Sequence, residues 1–187
     1  MSFSFPKSLY HRIFAGEAVI HTPEDPYEIL ATNGLCSCIA FAGWEPHKKI
    51  GFMVHFGGAA QVADFYSRGI ELLSSKCGRE DLSTFQCAIR GGAEKIRCSP
   101  EILQALKKEL HTHESIRFEI VQEDPLSDLS KLTVFQNPKS LSLDCGSGIF
   151  SDYNIDEDPE PRVKTPEEEA KDIKFSIFEN LVYREAE

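Results

Sequence analysis

Ser37-Cys38-Ile39-Ala40-Phe41-Ala42-Gly43-Trp44, then Glu45-Pro46-His47-Lys48-Lys49, then Ile50-Gly51-Phe52-Met53-Val54-His55-Phe56: this stretch decides the fold. Two apolar runs of strand length flank a polar turn that contains proline, which reads as a β-hairpin with buried strands. Pairing the runs brings Cys38 and His55 near each other. A thiol and an imidazole on neighbouring strands can make a thiolate–imidazolium pair, the usual engine of cysteine acyl chemistry.

Outward from the hairpin, the pattern alternates between strand and helix signals. Ala18-Val19-Ile20 reads as a first strand. Over Gln61–Lys76, Val62, Phe65, Tyr66, Gly69, Ile70 and Leu73 fall on one face at helical period, so this stripe is core rather than a cofactor box. Thr84–Ile89 returns to strand character and runs into Gly91-Gly92-Ala93. Ser99-Pro100-Glu101 predicts a helix start, with Ser99 as cap, and Leu106 and Leu110 line one face behind it. Ser115–Val121, Leu132–Phe135 and Leu141–Leu143 predict further strands, and Asp144-Cys145-Gly146-Ser147-Gly148 a turn. The fold class expected is α+β: a mostly antiparallel, β-sandwich-like core with helices packed outside.

The chain has 187 residues, enough for one domain with an appendage. Residues 1–150 are expected to form the catalytic domain. Residues 151–187 form an acidic linker and a terminal segment expected to dock on it. That segment holds 12 acidic and 5 basic side chains, a net −7 of the chain's −10. The acidity therefore belongs to the segment, and the overall sign argues against nucleic-acid binding through phosphates. Asp156–Glu169 is charged and proline-rich, whereas Ile173–Tyr183 recovers seven apolar side chains, too many to leave in water. No apolar stretch is long enough for a spanning helix, and Met1-Ser2-Phe3-Ser4-Phe5-Pro6-Lys7 lacks the core of a secretory signal. A cytoplasmic protein without membrane insertion is expected, with export as an effector left open.

The six cysteines, Cys36, Cys38, Cys77, Cys87, Cys98 and Cys145, do not need to be disulfides in a chain of this length. Cys36-x-Cys38 is too tight for the usual zinc-ligand pair, and His111-x-His113 reads as an exposed loop. No metal and no cofactor are expected. On a strand, Cys36 would share a face with Cys38. It is then either a substituted glycine without a role or a redox-sensitive neighbour of the nucleophile.

These letters, taken in order, resemble the CheD family of chemoreceptor glutamine deamidases. The family signature is a Thr before Leu-Gly-Ser-Cys, a strand, an Asp-Pro turn, then Ile-Gly-Gly-Met-x-His-Phe. Here Thr32 lies six residues before Cys38, and Leu35-Cys36-Ser37-Cys38 takes the nucleophile motif. Glu45-Pro46 takes the turn, and Ile50–Phe56 the histidine strand, with 17 positions between Cys38 and His55. Gly91-Gly92-Ala93 falls where the family has Gly-Gly-Ala. The resemblance runs from about Ala18 to about Phe150. Cys36 replaces a glycine, Glu45 an Asp, Phe52 the second glycine of the histidine motif, and Gly57-Gly58-Ala59 the usual Leu-Pro. These departures alter the rim more than the chemistry. Related toxin deamidases share the Cys–His logic.

The resemblance implies a cofactor-free protein-glutamine deamidase with Cys38 as nucleophile, His55 as acid and base, and Thr32 orienting the His55 ring. Its partners would be a protein substrate with an accessible glutamine and a regulatory protein. The alternatives are a non-catalytic protein-binding module on the same fold, or a host-targeting deamidase or transglutaminase.

Overall fold

The computed structural model describes residues 10–78, 82–110, 115–128, 138–154 and 181–184. In chain order the elements are β1 (Tyr10–Arg12), β2 (Glu17–His21), β3 (Ile29–Leu35), β4 (Ile39–Glu45), β5 (Ile50–Phe56) and α1 (Ala59–Asp64). A π-helical turn (Phe65–Gly69) then leads into α2 (Ile70–Cys77), β6 (Ser83–Ala93), α3 (Cys98–Glu109) and β7 (Ile116–Ser127). The last elements are β8 (Lys139–Asp144), β9 (Phe150–Ser151) and β10 (Val182–Arg184).

The strands form a six-stranded sheet, β10-β2-β5-β4-β6-β7, and a four-stranded sheet, β1-β3-β8-β9. The expected hairpin is β4–β5, and it lies at the centre of the larger sheet. Both of its strands are buried on both faces, which is why they read as continuous apolar runs rather than alternating ones. Size, not polarity, alternates along β4. Ile39 and Phe41 face one hydrophobic cluster, shared with Val62, Phe65 and Leu73 of the long helix and Ile102 and Leu106 of α3. Ala40 and Ala42 face a second cluster, shared with Leu30 of β3 and Leu141 and Leu143 of β8. Helices thus cover one face of the central sheet and the small sheet covers the other. This is the α+β sandwich-like architecture expected from the sequence.

Phe41, Phe52, Phe65, Phe85 and Phe118 interlock in the first cluster, mostly edge to face with centroids 5.1–6.1 Å apart. Gly43 makes room for them, because a Cβ there would lie 2.3 Å from the Phe52 ring.

Three differences from the sequence reading have physical causes. The larger sheet carries parallel pairs at its two ends, β6–β7 and β10–β2. The β6–β7 pair is parallel because α3 provides the crossover that parallel strands require. The long helix is not uniform. Its apolar stripe is buried as expected, but the helix widens to a π-turn at Phe65–Gly69, where a Cβ on Gly69 would lie 2.4 Å from the Phe65 ring. Thirdly, Ser99 does not cap α3. That helix begins at Cys98, and Ser99 turns inward, 0% exposed.

Packing continues through residues 151–153. Ser151 pairs with Ser142, Tyr153 is buried, and Arg90 makes an ion pair with Asp152. β10 adds to the edge of the large sheet on β2, and Leu181 joins the core. Leu181 N–H donates to Asp64 Oδ2 at 3.0 Å, and the Arg68 guanidinium stacks 5.0 Å from the Tyr183 ring centroid. His111 and His113, Leu132–Phe135, Asp156–Glu169 and residues 173–180 lie outside the described residues. Among the described residues no helix is long and apolar enough to cross a membrane.

Candidate active site

The site assembles where the two sheets face each other at the open end of the central hairpin, opposite the Glu45–Lys49 turn. His55 is the next-to-last residue of β5 and pairs across to Ala40. Ala40 and Met53 both belong to the cluster that faces the small sheet, so His55, two residues beyond Met53, projects to that face. Cys38 immediately precedes β4 and packs against the same cluster. The two side chains therefore share one face. His55 is buried, 3% exposed, whereas Cys38 is half-buried.

Thr32 comes from the opposite layer, on β3. Its hydroxyl lies 2.7 Å from His55 Nδ1 and 2.7 Å from the Ile13 carbonyl oxygen. A carbonyl can only accept, and a hydroxyl has one proton. Thr32 therefore donates to Ile13 and accepts from a protonated Nδ1. This leaves Nε2 as the nitrogen that carries the lone pair of the neutral ring, the nitrogen a general base uses. The Thr32 hydroxyl is 0% exposed, so no water competes for this arrangement. Sequence reading gave Thr32 as the orienting group; Ile13, which fixes the direction of the Thr32 proton, was not anticipated. A backbone carbonyl leaves no signature in its own side chain.

The Cys38 loop is pinned from below by the end of β6 and the start of α3. Ser99 Oγ donates to the Ser37 carbonyl at 2.8 Å and accepts from Ala93 N–H at 3.2 Å. Cys98 Sγ approaches the same carbonyl at 3.7 Å. Because the peptide is planar, fixing the Ser37 carbonyl also fixes the direction of Cys38 N–H, the backbone donor beside the candidate thiol. Gly91 has φ +110°, and a Cβ there would lie 2.7 Å from the Cys38 carbonyl oxygen and 2.7 Å from Leu35 Cβ. Gly92 has φ +75°, and its Cβ would meet Ser99 Cβ at 2.8 Å. The Gly-Gly-Ala motif thus has a steric reason: it lets β6 run directly beneath the Cys38 backbone.

Cys36 requires a correction. Residues 36–37 form a bend rather than strand, after a bulge in β3 between Thr32 and Leu35, and Cys36 N–H closes a tight turn onto Gly34 O at 2.7 Å. The strand spacing that would align Cys36 with Cys38 does not apply there. Burial raises the Cys36 thiol pKa above its ordinary value. Burial also raises that of Cys77, raises Cys87 strongly, and pushes Cys145 up to about 12. These four thiols are held protonated near neutral pH, which sets a low background for any reactive one.

Gly57-Gly58 turns the chain directly from β5 into α1, and Gly57 N–H is held by the buried Gln61 side chain at 2.8 Å. The turn expected over Asp144–Gly148 forms, with Asp144 Oδ1 accepting from Gly146 and Ser147 N–H. Among the described residues, no group of three or more His, Cys, Asp or Glu side chains is placed to hold a metal ion.

No family model matches this chain, and no curated protein matches it. Among solved structures it is similar to the Bacillus licheniformis hypothetical protein YfiH, at 10% identity and a TM-score of 0.39. The match covers 71% of this chain and 64% of that one, so this chain spans just under two thirds of that structure's length. A likeness this distant carries no argument about function.

Proposed function

We propose that the protein is a cysteine-dependent protein-glutamine deamidase. The observation that carries this reading is the Ile13–Thr32–His55 hydrogen-bond chain, which directs the lone pair of His55 to Nε2 on the face that Cys38 shares. The CheD-like order of motifs supplies the substrate class. Cys38 thiolate attacks the side-chain amide carbon of a substrate glutamine, and the tetrahedral intermediate expels ammonia protonated by His55. Water, deprotonated by His55, then hydrolyses the thioester. The products are glutamate, ammonia and the restored thiol, so one water is consumed per glutamine. An amine in place of water would give transglutamination.

The second reading is a non-catalytic protein-binding module, and the burial of His55 is what favours it. The half-exposure of Cys38 weighs against it, because the sulfur is the atom a substrate must reach. Intact mass spectrometry of a glutamine-bearing candidate protein separates the two. Deamidation adds about one dalton per event by the thioester route. The expected result is a mass gain with the wild type and none with Cys38→Ala. Equal behaviour of the two proteins toward every candidate, with binding retained, would support the binding module instead. Parallel incubation with a primary amine reads transglutamination.

A further inference from the structure

We infer that Glu17 is a positioning residue for His55, acting through the Ile13–Phe14 peptide, and that Arg184 of the terminal strand holds it in that role. The inference rests on the proposed function for its consequence, but its geometry is independent of it. The Ile13–Phe14 peptide unit has two hydrogen-bonding ends. Its carbonyl accepts the Thr32 hydroxyl at 2.7 Å, and its N–H donates to Glu17 Oε2 at 3.0 Å. The other carboxylate oxygen of Glu17 accepts from Arg184 Nε at 3.0 Å and lies 2.8 Å from Arg184 Nη2. The chain is therefore continuous: Arg184, Glu17, the Ile13–Phe14 peptide, Thr32, His55.

Each link strengthens the next. A carboxylate pulling on an amide N–H draws electron density onto the carbonyl oxygen of the same peptide, making it a better acceptor. A better acceptor holds the Thr32 proton more firmly, and the Thr32 oxygen becomes the better acceptor for His55 Nδ1–H. The result is a ring held in one tautomer and one orientation. Glu17 is 6% exposed, so its charge needs a partner, and Arg184 is that partner. The terminal strand also reaches the His55 backbone. Val182 N–H donates to Gly16 O at 2.9 Å, and Gly16 N–H donates to His55 O at 2.8 Å. The terminal strand thus docks on the turn that orients the base, which makes it part of the site's support.

The test uses the full chain with Glu17→Ala, Thr32→Val, the double variant and Arg184→Gln. Iodoacetamide labelling of Cys38 is followed by peptide mass spectrometry, and the His55 ring tautomer by imidazole nitrogen NMR. Glu17→Ala is expected to slow Cys38 labelling about fivefold, the factor one net hydrogen bond represents. Arg184→Gln should slow it in the same direction by less. In the Thr32→Val background Glu17→Ala should add nothing, because its effect passes through Thr32. The ring should shift from the Nδ1–H form toward a mixture in Glu17→Ala. A merely structural role predicts equal slowing in both backgrounds and an unchanged tautomer, and either result overturns the inference. Arg184→Gln changes a half-exposed side chain, so it decides the matter by the same two readouts if Glu17→Ala does not fold. If wild-type Cys38 labels no faster than Cys98 but Glu17→Ala still shifts the tautomer, the deamidase reading fails and the positioning role stands.

Discussion

Replacing His55 by alanine is expected to cut turnover of a glutamine-bearing protein substrate by about 10²–10⁴-fold, the range contributed by a positioned proton-transfer group. The size follows from the double duty of Nε2. In the proposed deamidase mechanism it protonates departing ammonia in the first half of the reaction and activates water in the second. Thr32 bonds to the opposite nitrogen, so Thr32→Val leaves Nε2 in place and should give a smaller loss. Circular dichroism and thermal melting accompany the assay, because a truncated buried ring leaves a cavity. A folded His55→Ala protein with turnover within a few-fold of wild type would remove the histidine from the mechanism.

Gly91→Ala is expected to be the most damaging substitution outside the Cys–His pair. The residue sits at φ +110°, where a Cβ is strained whatever the space, and there is no space. The new atom would meet the Cys38 carbonyl oxygen and Leu35 Cβ, both at 2.7 Å. Strained backbone and overpacking each cost about 1–3 kcal/mol, so together roughly 2–6 kcal/mol of stability should be lost. At about 2–4 °C per kcal/mol for a chain of this size, the melting temperature should fall by roughly 4–24 °C. The chain can relieve the clash only by moving the Cys38 backbone or β6. A second effect on Cys38 labelling should therefore appear in whatever fraction stays folded. A melting temperature within about 1 °C of wild type would show that the close approach beneath Cys38 is not real.

The parts of this fold written in side-chain period were legible in the sequence. The hairpin runs are apolar on both faces because the strands are central, and the Val62–Leu73 stripe is buried as its spacing requires. The β3 strand was less visible, because Ala31-Thr32-Asn33-Gly34 has turn-like composition and becomes strand only by pairing with β1 and β8. Ser99 shows the same limit from another side. Locally it is an ideal helix cap before Pro100, but a long-range acceptor, the Ser37 carbonyl 62 residues away in sequence, takes its hydroxyl instead. Cys38, His55 and Thr32 were all named from the sequence as candidate site residues. The structure places Thr32 on His55 Nδ1 and puts Cys38 on the same face of the sheet. What sequence could not carry was the backbone half of the site: the Ile13 carbonyl, the Ser37 carbonyl and the space above Gly91. Those depend on which main-chain atoms the fold brings together, and main-chain atoms are the same in every residue.

If His55 makes Cys38 a nucleophile, competitive thiol labelling reads it out. Native protein is treated with limiting iodoacetamide at neutral pH, and each of the six cysteines is quantified by peptide mass spectrometry. Cys98 is the informative comparison, because it is half-buried like Cys38. Cys38 should label first, about tenfold ahead of Cys98, and His55→Ala should erase the lead. Labelling of Cys38 at the rate of Cys98, unchanged by His55→Ala, would contradict it.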